Sequence, residues 1–122
     1  IFLTMALNST KIEVKGSLDR FRDFIYIDDV VSAWYNIVSS KKTKNKIYNI
    51  GTGKKTTIKE LLNLIADLLK KKIIIKESKG TLGDFKGCYA NIDSLKKDIN
   101  FSPKVDLKQG LNMFYNWSKK FK

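Results

Sequence analysis

Arg20 and Arg22 are the only arginines in a chain with 24 Lys+Arg. Lysine carries every other side-chain positive charge. A lysine is a point charge on a flexible stem, whereas an arginine is a planar fork that grips phosphate or carboxylate with paired hydrogen bonds. Two such forks one residue apart read as an anion clamp. A second reading stands beside it, a strand-edge ion pair with Asp19, Asp23 or Asp28. The stretch from Gly16 to Trp34 predicts a turn, a strand over residues 20–26 and then a helix. Strand side chains alternate faces, so Arg20, Arg22 and Phe24 share one face and Phe21, Asp23 and Ile25 the other. Asp28 or Asp29 is placed to cap the helix, because a short carboxylate accepts the free N–H groups of a first turn.

Composition excludes several other chemistries. The 122 residues contain one cysteine, Cys88, and no histidine. No internal disulfide and no Cys/His metal cluster can be built, and Ser-His or Cys-His nucleophile systems are ruled out. The cysteine usage suits a reducing cytosol, so a cytoplasmic location is expected. No apolar run approaches the ~20 residues of a membrane span. The apolar start, residues 1–7, is short and has no basic residue before it, unlike a signal peptide. The chain begins with Ile, as a fragment, a processed product or an incomplete sequence would.

The net charge of +12 invites nucleic acid or an anionic surface as partner. The charge is mostly dispersed lysine in short runs at expected helix ends and loops, where it complements the helix dipole or stays solvated. No aromatic-basic stripe of the RNA-binding kind is present. Neither nucleic acid nor membrane is expected as partner.

The hydrophobic fraction of 43% and the length fit one globular domain over residues 1–122. Residues 1–8 read as the end of a helix broken by Asn8-Ser9-Thr10. Residues 11–15 alternate as a half-buried strand. The helix over residues 29–39 is apolar most of the way round, which predicts burial on several sides. Residues 39–45 form a basic loop. Residues 46–50 read as a short strand covered on both faces. Gly51-Thr52-Gly53 then makes either a tight turn or a phosphate-binding loop. It lacks the third glycine of a dinucleotide fingerprint and the Gly-Lys-Ser/Thr of a P-loop. Thr57 and Glu60 form a capping box for a helix with Ile58, Leu61, Leu62, Ile65, Leu68 and Leu69 on one face. A strand at residues 73–75, a loop at residues 80–84, a short helix over residues 94–99 and a final helix capped by Asp106 complete the chain.

The central stretch closely resembles G-x-x-x-R-x-R-D-F-x-Y-x-D-D-V-V of the extended short-chain dehydrogenases/reductases, the nucleotide-sugar epimerases and dehydratases. Tyr48-Asn49-Ile50-Gly51-Thr52-Gly53 resembles the late Y-N-x-G-x-G element of that family, which is not its main cofactor loop. Gly83-Asp84, the Tyr89–Asp93 stretch and the Pro103–Trp117 tail resemble the segments that follow. The order matches the family's C-terminal third over essentially the whole chain. The resemblance implies an α/β fold, the C-terminal substrate-binding part of such an enzyme, with helices, short strands and the Rossmann core largely absent. It implies that Arg22 clamps the diphosphate of a nucleotide-sugar, with Arg20 flanking it. Asp84 would reach a ribose hydroxyl, and the backbone near Val14 would lie along the base.

Two departures stand out. Many relatives carry an arginine shortly before Gly-Asp, where this chain has Thr81 and Leu82, with Lys79 and Lys86 nearby. Relatives often have Asp where this chain has Asn91. The family's glycine-rich NAD loop and its catalytic Tyr-x-x-x-Lys are also absent from their family positions. Tyr115 and Lys119 have the spacing but fall on the C-terminal aromatic helix. The resemblance therefore implies that NAD is bound by an N-terminal part outside this sequence, and that the chain alone is inactive. The alternative is a free-standing α/β anion-binding or interaction module. Trp34, Ile37 and Val38 are expected to line an apolar patch, and self-association to follow.

Overall fold

The computed structural model describes residues 1–80, 82–83 and 85–120. Helix α1 (Phe2–Asn8) leads into strand β1 (Lys11–Lys15), whose alternation buries Ile12 and Val14 and exposes Lys11, Glu13 and Lys15. Strand β2 is short, Phe21–Arg22, and helix α2 (Ile27–Ser39) follows. A 3-10 turn at Lys41–Thr43 comes next, and then strand β3 (Thr56–Thr57) runs into helix α3 (Ile58–Leu69). Strand β4 (Ile74–Ser78) and helices α4 (Asp93–Ile99) and α5 (Leu107–Lys119) close the chain. β1 pairs with β4 in parallel, Lys11 opposite Ile74 and Lys15 opposite Ser78. β2 pairs with β3 antiparallel, Phe21 opposite Thr57.

Two apolar clusters hold these elements. In the first, Leu3 and Ala6 of α1 and Ile12 and Val14 of β1 pack on Ile58, Leu61, Leu62 and Ile65 of α3, with Leu107, Leu111 and Tyr115 of α5 alongside. The α3 face follows from its sequence, since the apolar residues recur at helical spacing. Its start is set by Thr57 and Glu60. The Thr57 hydroxyl accepts from Glu60 N–H at 3.1 Å, and the Glu60 carboxylate accepts from Thr57 N–H at 2.7 Å. The second cluster gathers Ala33 of α2, Ile92, Leu95 of α4 and Phe101, with Ile37, Tyr48 and Ile50 against it.

Several sequence expectations need correction. The strand predicted over residues 20–26 pairs only at Phe21–Arg22, because helix begins at Ile27 and the side chain of Asp23 takes over the bonding. Neither Asp28 nor Asp29 caps α2, whose N-cap is Tyr26 without a side-chain bond. Residues 46–50 form no strand and are not doubly covered: Tyr48 and Ile50 pack inward, while Ile47 is 97% exposed. α2 buries only one side. Ala33 is enclosed and Ile37 half-buried, whereas Trp34 is 65% and Val38 86% exposed. The apolar patch therefore exists around Trp34 and Val38, joined by Ile27, Val31 and Tyr35, with Ile37 turned into the second cluster.

Titration should report on these contacts. Hydrogen bonds from the Thr57 backbone and hydroxyl hold Glu60 below its ordinary value, and bonds from Lys46 and Tyr48 do so for Asp98. A lowered carboxylate adds stability above its ordinary pKa, and that stability is lost as pH falls through the lowered value. Burial, and then the hydrogen bond to Asp98, push Tyr48 up to about 12. Its contribution is complete below about pH 10 and is lost as pH rises toward 12. Thermal midpoints should therefore fall below about pH 4 and above about pH 10. Tyr48→Phe should flatten part of the alkaline limb, and an unchanged limb in that variant counts against the assignment.

Candidate functional site

The arginine segment is built into the wall of a cleft. Lys15 ends β1, and Gly16 turns the chain at φ +85, a backbone region that glycine enters without penalty. The turn brings Arg20 back over it. Arg20 Nε donates to Ser17 O at 3.0 Å, and Nη2 donates to Lys15 O. A side chain at Gly16 would sit 2.9 Å from Arg20 Cζ, so the guanidinium lies against bare backbone.

The cleft encloses about 820 Å³ between the 16–20 turn and residues 79–80, 82–83 and 85–86. Among the described residues, Arg20, Lys79 and Lys86 line it with Asp19, an excess of positive charge suited to an anion. Arg22 stands at its margin. Its Nη1 donates to Phe21 O at 2.7 Å, and its guanidinium lies 4.5 Å from the ring centroid of Phe85, which does line the cleft. An aromatic face beneath an arginine fixes the plane of the guanidinium.

The structure thus brings together Arg20 and the lysines Lys79 and Lys86, with Arg22 beside them through Phe85. Val14 is buried, and its backbone lies in the ladder opposite Glu77. Asp84 lies outside the described residues. Asn91, where relatives often have Asp, accepts from Asp93 N–H at 2.9 Å and forms the turn that starts α4. Tyr115 and Lys119 lie one turn apart on α5, with the Lys119 amine 4.0 Å from the Tyr115 ring centroid.

The ion-pair reading of Asp23 gives way to a different one. Its carboxylate accepts from Thr52 N–H at 2.9 Å, Gly53 N–H at 2.9 Å, Ala90 N–H at 3.1 Å and the Thr52 hydroxyl. Burial acts to raise the Asp23 pKa, but the hydrogen bonds from Thr52, Ala90 and Gly53 outweigh it and hold the group below the ordinary carboxylate range. Gly51-Thr52-Gly53 is therefore a tight turn whose N–H groups serve the chain's own carboxylate. The first N–H groups of α3 are also engaged, Ile58 with Arg20 O at 2.8 Å and Lys59 with Leu18 O at 3.1 Å.

Sequence reasoning missed Asp23 as a hub, and it missed Phe85. The partners of Asp23 are mostly backbone N–H groups far along the chain, which no residue type announces. Phe85 could have been flagged as an aromatic between Gly83 and Lys86 in a loop otherwise without large rings. Among the described residues no group of three His, Cys, Asp or Glu could hold a metal ion. No described helix is long and apolar enough to cross a membrane.

This order of elements is that of the C-terminal portion of an extended short-chain dehydrogenase/reductase. The chain belongs to the GDP-mannose 4,6 dehydratase family, whose pattern matches residues 2–114. It is 31% identical over 119 residues to a putative UDP-glucose 4-epimerase of Methanocaldococcus jannaschii, covering 98% of this chain and 38% of that protein. It superposes with TM-score 0.89 on the UDP-glucose 4-epimerase of Thermotoga maritima, solved with UDP-glucose, at 26% identity over 98% of this chain and 38% of that one. The UDP-glucuronic acid 4-epimerase of Bacillus cereus, solved with UDP-glucuronic acid and NAD, gives 0.90 at 24% identity, over 99% of this chain and 39% of that one, a likeness of fold. The chain spans 40%, 38% and 36% of the length of three curated relatives.

Proposed function

We propose that this chain is the substrate-binding portion of an NAD-dependent nucleotide-sugar epimerase or dehydratase. The observation that carries the reading is the cationic cleft of Arg20, Lys79 and Lys86, with Arg22 over Phe85 at its margin. Arg22 clamps the diphosphate of a UDP- or other NDP-sugar, and Arg20 flanks it. Asp84 takes a ribose hydroxyl, and the backbone near Val14 runs along the base. NAD, which accepts and returns a hydride, is held by a part of the enzyme that this chain does not span. The 122 residues act as one cytoplasmic domain, without nucleic acid or membrane as partner.

The clamp is tested by calorimetric titration of UDP. Arg22→Ala should cost about 1.5–3 kcal/mol of binding, the loss of hydrogen bonds to a charged group. Arg22→Lys should restore only part, because a point charge cannot reproduce the fork. Equal affinity in the lysine variant removes the fork argument. No binding of UDP or a UDP-sugar by the unaltered chain removes the site.

The α2 patch around Trp34 and Val38 supports self-association of the isolated chain. Sedimentation over a wide concentration range should show a dimer forming, and Trp34→Glu should shift the chain toward monomer. A compact monomer at high concentration would favour the free-standing module instead.

A further inference from the structure

Three successive residues of the arginine segment each fasten a different point of the 85–90 stretch. Phe21 N–H donates to Lys86 O at 3.1 Å, and Phe21 bridges to Gly87. Gly87 passes so close that a Cβ there would lie 2.5 Å from Phe21 O. Arg22 lies over Phe85. Asp23 accepts from Ala90 N–H, while the same carboxylate holds the Thr52 and Gly53 N–H groups. The Asp23 carboxylate thus joins the residue next to the proposed clamp, the Gly51–Gly53 turn and the far end of the loop that carries Phe85 and Lys86.

We propose that Asp23 is a positioning residue for the diphosphate site: by anchoring Ala90 and the Gly51–Gly53 turn beside Arg22, it holds the 85–90 stretch where Phe85 sets the plane of the Arg22 guanidinium. The proposal rests on the reading of Arg22 as the diphosphate ligand. It makes a prediction opposite in sign to simple electrostatics. Removing a negative charge near an anion site should by Coulomb's law tighten the binding of UDP. Removing the anchor should loosen it. Asparagine separates the two effects. Its Oδ1 can keep the Gly53 and Ala90 N–H groups while its amide donates to the Thr52 hydroxyl, so most of the anchor survives without the charge and only the Thr52 N–H loses an acceptor.

The experiment compares Asp23→Ala, Asp23→Asn, Arg22→Ala and the Asp23→Ala/Arg22→Ala double variant by UDP titration. The Arg22 Nε–H and Phe85 ring signals are followed by NMR without ligand. Asp23→Ala should weaken UDP about tenfold and displace both sets of signals. Asp23→Asn should lose clearly less than Asp23→Ala. The double variant should bind about as weakly as Arg22→Ala alone, because a residue that acts only through another adds nothing once that other is gone. If Asp23→Ala does not fold, Thr52→Val, which removes the hydroxyl bond to Asp23 and the one accepted from the exposed Lys54 N–H but keeps the backbone donors, should still move the Arg22 and Phe85 signals and weaken UDP in the same direction.

Tighter or unchanged binding in Asp23→Ala, or in Thr52→Val where that variant carries the test, overturns the proposal. Effects of Asp23→Ala and Arg22→Ala that simply multiply do so too, while leaving Arg22 as the clamp. If the unaltered chain binds no UDP, the clamp reading fails, and the ligand-free signals decide the anchor by themselves. Displaced Arg22 and Phe85 signals then support it, and unmoved signals overturn it.

Discussion

Asp29→Ala should lower the stability of this chain by about 3 kcal/mol, a large share of the 5–15 kcal/mol that holds a typical domain folded. Asp29 is only 4% exposed. One carboxylate oxygen accepts from Lys104 N–H and the other from Val105 N–H, each at 3.0 Å. These two donors lie just before α5, so the bond pair ties α2 in the second cluster to a helix that packs on the first. Alanine leaves both N–H groups without their acceptor, and each part-buried hydrogen bond to a charged group is worth about 1.5–3 kcal/mol. Asparagine keeps one acceptor and should lose about half as much. Urea midpoints at unchanged slope measure the difference. An alanine variant within about 0.5 kcal/mol of the unaltered chain would mean that water replaces the carboxylate at little cost.

Gly51→Ala should be of similar size, about 3 kcal/mol, for a steric reason. A Cβ at Gly51 would lie 2.5 Å from Ala90 Cβ and 2.5 Å from Asp23 Oδ2. The Ala90 methyl is fixed to the backbone and the carboxylate is held by its donors, so neither neighbour can move without breaking the Asp23 hub. Gly83→Ala is the control. Gly83 has φ +83, and a methyl group there would meet nothing within 4 Å, so only backbone strain of about 1–2 kcal/mol applies. Gly51 is not among the positive-φ glycines, so a Gly51→Ala loss no larger than that of Gly83→Ala would count against crowding at position 51.

Features carried by neighbouring residues were legible in the sequence. Thr57 and Glu60 lie within one helical turn, and Asp106 reaches Gln109 N–H at 2.8 Å across the same spacing. The burial of Ile12 and Val14 followed from alternation in β1. Residues 46–50 misled because their apolar character says that something covers them, not that a strand edge is available to pair with. Tyr48 is held instead by its hydroxyl, which donates to Asp98 at 2.6 Å. Asp29 misled for a related reason: helix begins before it, at Ile27, and its acceptors serve a segment far along the chain. The same holds in the site. The isolation of Arg20 and Arg22 in a lysine-rich chain marked a segment of which Arg20 lines the cleft, while the hub at Asp23 depends on backbone donors from two distant loops.

The pairing of β1 with β4 has a consequence for how the chain is made. All of residues 16–73 separate the two strands, so no bond of this ladder can form until that whole stretch has been produced. At a translation rate of 5–20 residues per second, β1 leaves the ribosome roughly 3–12 s before its partner. During that interval Ile12 and Val14 sit on a strand with both edges open, the kind of segment that recruits other nascent chains. Lys11, Glu13 and Lys15 alternate with them along the opposite face. Charges so placed are not needed to hold the finished fold, but they make premature strand pairing between neighbouring chains unfavourable, so β1 can wait for its own partner in crowded surroundings.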